Sequence, residues 1–103
     1  MISGLNGYQA DGKTMPESFE EQCDLIWQHI GTILESAGMT YQNIISLRFY
    51  LASPDYDEAN MRLRKQYLGD HKTTLTVVCA QLLEPKWKVE IEAMAATDAE
   101  PRS

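Results

Sequence analysis

The fold class this sequence predicts is an α+β sandwich, a mixed β-sheet with two helices packed on one of its faces. Three observations carry that prediction. Phe19, Cys23, Ile26, Ile30, Ile33 and Ala37 recur at alternating steps of four and three, which places them along one stripe of an α-helix. Ile45, Leu47, Phe49 and Leu51 alternate with Ser46, Arg48 and Tyr50, as the two faces of a half-exposed strand do. Two further runs of strand-forming residues, 74–80 and 87–94, close the chain.

In chain order, Met1 to Gly7 is short and punctuated by glycine, and Asp11-Gly12-Lys13 reads as a turn, so a first strand runs into a loop. A chain that begins almost inside a strand is expected to have lost an edge partner or to have been shortened there. The first helix is expected over residues 18–37. Ser18 with Glu21 forms a capping box at its start, and Gly38 supplies the left-handed residue at its end. The second strand covers residues 43–51. Ser53-Pro54-Asp55 then turns the chain into a second helix marked by Tyr56, Ala59, Asn60, Leu63 and Tyr67 and ended by Gly69. A link containing Glu84-Pro85 joins the last two strands, and Trp87 plugs the sheet end where the final strand begins. One domain over residues 1–96 and a frayed tail over 97–103 account for the 103 residues.

Charge narrows the function. A formal net charge of -6 argues against a nucleic-acid partner, because phosphate binding needs clustered cations that release counterions. The cluster Arg62, Arg64 and Lys65, with Glu58 one turn before it, reads as the solvated side of a helix. No apolar run is long enough to span a bilayer, so no membrane partner is expected. Cys23 and Cys79 form no paired motif, and both read as small buried hydrophobes of a protein kept in a reducing compartment, the cytoplasm. His29 and His71 lack partners at metal-ligand spacing and read as surface or loop residues. Neither a phosphate loop nor a nucleotide fingerprint occurs, so no cofactor and no metal is expected.

Glu90 and Glu92 are the chemically suggestive pair. If Val89, Ile91 and Ala93 face the helices, then Lys88, Glu90, Glu92 and Met94 line the opposite, uncovered face. Two carboxylates about 7 Å apart repel by about 0.6 kcal/mol in water and about 2.4 kcal/mol at an effective dielectric of 20. They coexist in solvent, whereas enclosure in an interface would favour one of them as a general base or acid.

The pieces Ser3-Gly4, Gly7, Asp11-Gly12, Glu21-Gln22, Leu34-Glu35-Ser36-Ala37-Gly38, Tyr56 to Asn60 and above all Val89-Glu90-Ile91-Glu92-Ala93-Met94-Ala95 resemble, in order and spacing, the Rid family, the YjgF-type reactive intermediate deaminases. The resemblance runs from Ser3 to Ala95. It implies a chorismate-mutase-like fold and a homotrimer with ligand sites in the clefts between subunits, which would cover the open sheet face. It also implies hydrolysis of an imine or enamine to a carbonyl product, such as a 2-oxo acid, and ammonia. Carried over by position, Glu90 activates the attacking water, while Ser3, Gly4, Asn60, Leu75 and Val77 fall at substrate-binding positions.

One departure stands out. Where the family places an arginine that holds the substrate carboxylate, an ungapped register puts Leu75, and a shift of one or two residues puts Thr74 or Thr73. None of these pairs with a carboxylate, and the nearest cation along the chain, Lys72, falls outside the site in that register. A bidentate guanidinium contact comprises two charge-assisted hydrogen bonds of roughly 1.5–3 kcal/mol each, so its loss weakens binding of a small anionic imine by about a hundredfold or more. The expectation is a less acidic substrate, or a homologue that binds small ligands or acts as a chaperone without turnover.

Overall fold

The computed structural model describes residues 2–5 and 16–96. Its elements are β1 (Ile2–Leu5), α1 (Phe19–Ser36), β2 (Ile44–Leu51), α2 (Asp57–Leu68), β3 (Thr74–Cys79) and β4 (Val89–Ala95), with 3-10 turns at Tyr41–Asn43 and Pro54–Tyr56. The four strands lie in the order β1-β4-β2-β3. β4 runs antiparallel to both β1 and β2, while β2 and β3 are parallel. Parallel neighbours need a crossover, and α2 supplies it. This is the predicted α+β architecture of a mixed sheet and two helices. The turn expected at Asp11-Gly12-Lys13 and the tail at 97–103 lie outside the described residues.

The helix ends follow from local chemistry. Ser18 accepts from the Glu21 amide at 3.1 Å and donates to the Glu21 carboxylate at 3.1 Å, so the cap forms with its second arm running side chain to side chain. Gly38 takes φ +74° after α1 and Gly69 takes φ +59° after α2, a region where a side chain would be strained. Met39 N–H closes the first end on the Leu34 carbonyl at 2.8 Å.

Leu47, Phe49 and Leu51 of β2 and Val89, Ile91 and Ala93 of β4 pack in one buried cluster with Cys23, Ile26, Trp27, Ile30 and Leu34 of α1. The stripe read from the sequence holds through Ile30 and then rotates. Leu34 is buried while Ile33 is exposed, because Trp27 draws that side of α1 inward: its ring stacks on Tyr67 at 5.4 Å and meets Phe49 at 6.3 Å. Tyr41 half-buries against this cluster and donates to the Trp27 carbonyl at 2.7 Å. The expected inward position of Ile45 is also corrected. The register slips between Ile44 and Ser46, so Ile44 points in and Ile45 out.

Two further expectations change. Cys79 is exposed, since it ends an edge strand that the helices do not reach. The last strand starts at Val89, two residues later than expected. Arg62 lies on the solvated side of α2 as expected and from there reaches Glu20 of α1 at 2.6 Å. His71 lies in the loop before β3, half-buried, its Nε2 2.7 Å from the Ile44 carbonyl, where it ties the entry of β3 to the start of β2.

The start of β4 is set by Gln22. Fully buried, its Nε2 donates to the carbonyls of Pro16 at 2.7 Å and Lys86 at 3.0 Å, and its Oε1 accepts from the Lys88 amide at 2.9 Å. Replacing Gln22 with Leu keeps the volume but strands these backbone groups, each costing about 1–3 kcal/mol where water does not reach it. We expect Gln22→Leu to lose about 2–4 kcal/mol in urea unfolding; a loss below about 0.5 kcal/mol would show that the latch is dispensable.

Cys23 yields a second expectation. Burial first, and the Asp24 carboxylate second, push its thiol from 9.0 to about 12. A native-state thiol reagent at pH 8 should therefore modify Cys79 and spare Cys23 until denaturant is added. The raised native value means that the unfolded chain loses this proton first. Stability should therefore be complete below pH 9 and fall as pH climbs towards 12.

Candidate active face of the sheet

Among the described residues, the helices cover one face of the sheet and leave the other open. On β4 the buried residues are Val89, Ile91 and Ala93, while Glu90 and Glu92 are half-buried and Met94 is exposed on the opposite side. Parity of this kind is all or none, since a slip by one residue would exchange the faces. Lys88 fixes it, held by Gln22 on one side and by the Ala52 amide, which donates to the Lys88 carbonyl at 3.0 Å, on the other.

Strand register then assembles the open face. Tyr50 lies opposite Glu90, Arg48 opposite Glu92 and Ser46 opposite Met94. From β3, Thr76 pairs with Arg48 and Val78 with Tyr50. Tyr50 donates its hydroxyl proton to Glu92 Oε1 at 2.5 Å. The neighbouring Tyr50 hydroxyl first, and the Glu92 carboxylate after it, raise the Arg48 guanidinium pKa. Ser46, Arg48, Thr76, Glu92 and Met94 surround a hollow of about 160 Å³ beside Glu90.

Arg48 is the cation that the sequence reading passed over. The alternation of β2 already set it on the solvent side with Ser46 and Tyr50. What no local pattern could give is the non-sequential neighbour: that β4 lies beside β2, with Glu92 at the level of Arg48. Lys72, by contrast, sits at the far end of the sheet with His71, Asn43 and Ile44, around a separate depression.

The remaining predicted site residues do not gather around Glu90 within one chain. Register partners share a face, so Leu75, paired with Leu47, and Val77, paired with Phe49, lie on the helix side of the sheet. They overhang the helices there, with 40% and 37% of their surfaces exposed. Asn60 is fully buried between α2 and α1, where its Oδ1 accepts from the Cys23 thiol at 3.8 Å. Its Nδ2 finds no partner among the described residues. Ser3 and Gly4 belong to β1, beside the Ile91–Ala93 stretch of β4. Among the described residues no group of three or more His, Cys, Asp or Glu side chains could hold a metal ion, and no helix is long and apolar enough to cross a membrane.

Comparison with known proteins matches this geometry to a family. A family model described as Endoribonuclease L-PSP matches residues 1–97. RidA from an Antarctic Psychrobacter species superposes with a TM-score of 0.87 at 21% identity, over 93% of this chain and 78% of the other. YyfB of Yersinia pestis, a Rid-family protein of unknown function, gives a TM-score of 0.82 at 25% identity over 93% and 76%. YyfA of the same organism gives 0.86 at 21% over 92% and 77%. No curated protein sequence matches. These likenesses fix the fold, and the family match over nearly the whole chain fixes the lineage: the chain belongs to the YjgF/Rid family, the Endoribonuclease L-PSP group.

Proposed function

We propose that this protein hydrolyses reactive imines or enamines to a carbonyl product and ammonia, with Glu90 as the general base. The observation that carries the reading is the placement of Glu90. It is a half-buried carboxylate on the uncovered face of a strand whose parity is pinned by buried hydrogen bonds. In the reaction, an enamine is first protonated on carbon to give its imine. Glu90 takes a proton from water as the water oxygen bonds to the imine carbon, and the C=N electron pair passes to the nitrogen, which picks up a proton. In the resulting carbinolamine the nitrogen takes the proton held by Glu90 and leaves with the C–N electrons as the hydroxyl loses its proton, giving a carbonyl compound and ammonia. Base catalysis of this kind contributes about 10²–10⁴-fold.

The sheet separates Leu75 and Val77 from Glu90, so a site containing all three needs a second copy, whose overhanging β3 would wall the cleft over Glu90. An edge strand exposed on both faces favours such coverage, and a homotrimer provides it three times. Leu75 then contributes an apolar wall where an arginine would hold a carboxylate, which turns the preference towards neutral imines or enamines. Two unpaired cysteines suit a reducing, cytoplasmic setting. The acidic balance of the chain disfavours RNA as a substrate.

Ammonia release from enzymatically generated 2-imino acids and from neutral enamines tests this directly. Turnover should fall about a hundredfold or more in Glu90→Gln. Leu75→Arg should raise turnover of the acidic imines, by up to about a hundredfold if two charge-assisted bonds form. Wild-type turnover equal to that of Glu90→Gln would remove the catalytic reading. Saturable binding without turnover would instead support the rival that Leu75 favours, a ligand-binding Rid homologue. Light scattering should give about three times the 11.7 kDa subunit mass, and a monomer at micromolar concentration would contradict the shared site.

A further inference from the structure

Arg48 and Glu92 are direct cross-strand partners of opposite charge, the arrangement that ordinarily closes into an ion pair. Here they form none. Arg62 and Glu20 pair at 2.6 Å, whereas the Glu92 carboxylate accepts the Tyr50 hydroxyl at 2.5 Å and closes no ion pair with Arg48. Tyr50 thus holds Glu92 in place beside the guanidinium on the neighbouring strand. The space between and beside them is the hollow of about 160 Å³, completed by the hydroxyls of Ser46 and Thr76 and by exposed Met94.

We propose that this hollow binds the zwitterion of a small apolar α-amino acid. The guanidinium and the two hydroxyls offer donors to a carboxylate, while Glu92 offers an acceptor to an ammonium group. An α-amino acid carries those two groups one carbon apart, which suits opposite charges that line one hollow from neighbouring strands without closing on each other. Water occupies about 30 Å³ per molecule in the liquid, so the hollow holds about five water-sized units, the heavy-atom scale of glycine or alanine. Met94 at its rim favours a methyl over a polar side chain. A simple anion would meet the Glu92 charge unbalanced, and a simple amine would meet Arg48. The zwitterion answers both. This subsite is one rung along the strands from Glu90 and does not depend on the hydrolytic reading.

The test is a calorimetric or NMR titration of the whole protein with alanine, glycine, acetate and methylammonium. Alanine should saturate with a Kd on the order of 1 mM, and acetate and methylammonium should each bind at least about tenfold more weakly. Arg48→Met and Glu92→Gln alter exposed or half-exposed side chains, so both should fold; each should weaken alanine binding by about tenfold or more. Glu90→Gln should leave the alanine isotherm unchanged even if it abolishes turnover, which separates this site from the hydrolytic one. Three results would overturn the proposal: no alanine binding in the millimolar range, binding that survives Arg48→Met, or acetate binding as tightly as alanine. Loss of the oligomer in Arg48→Met, together with no alanine binding in the wild type, would assign the pair to contact between copies instead.

Discussion

A single buried carboxamide decides which residues this sheet offers to the outside. Gln22 joins three backbone segments through one side chain: the lead-in to α1 at Pro16, the link before β4 at Lys86, and the residue immediately before β4, Lys88. A side chain is a better device here than a packed methyl group, because an amide has directional donors and an acceptor and so selects one register out of several with similar hydrophobic burial. β4 lies between β1 and β2 and is the last strand in sequence, so its register is set by contacts formed over long separations, and this carboxamide is one that is directional. With the register fixed, Val89, Ile91 and Ala93 complete the core, and Glu90 and Glu92 are left outside.

Around that constraint the molecule divides its chemistry by face. The helix side takes the aromatic mass: Trp27 stacked on Tyr67, Phe19 stacked on Tyr56 at 4.7 Å, and Phe49 beneath. Its few polar groups serve packing, as Asn60 and Cys23 do. The open side takes the charge: Arg48, Glu90 and Glu92 around Tyr50. A tyrosine suits this position because its ring contributes apolar area to the sheet while its hydroxyl holds the Glu92 carboxylate.

Much of this was legible in the sequence, and the limits have physical causes. Element order, both helices, their glycine stops and the outward facing of Glu90 and Glu92 follow from local periodicity and end chemistry, which a chain carries within ten or twenty residues. Ile45 was misplaced because a slip at Ile44 breaks an alternation that looks unbroken in one dimension. Cys79 was misplaced because apolar strand composition does not tell a central strand from an edge beyond the reach of the helices. The partnership of Arg48 with Glu92 and the opposition of Leu75 to Glu90 depend on strand order, a property of the assembled sheet. The family resemblance supplied residue identities, but it could not show that Asn60 is enclosed among helices in this chain.

The overhang of β3 has an evolutionary side. Leu75 and Val77 lie outside the buried cluster, so what stands at those positions is nearly free of the demands of folding; substitutions at such sites usually change stability by about 0.5 kcal/mol or less. A fold built this way can exchange an isobutyl group for a longer or charged side chain at position 75 without repairs elsewhere. The overhang can thus change its chemistry while the scaffold and the carboxylates of the other face stay as they are.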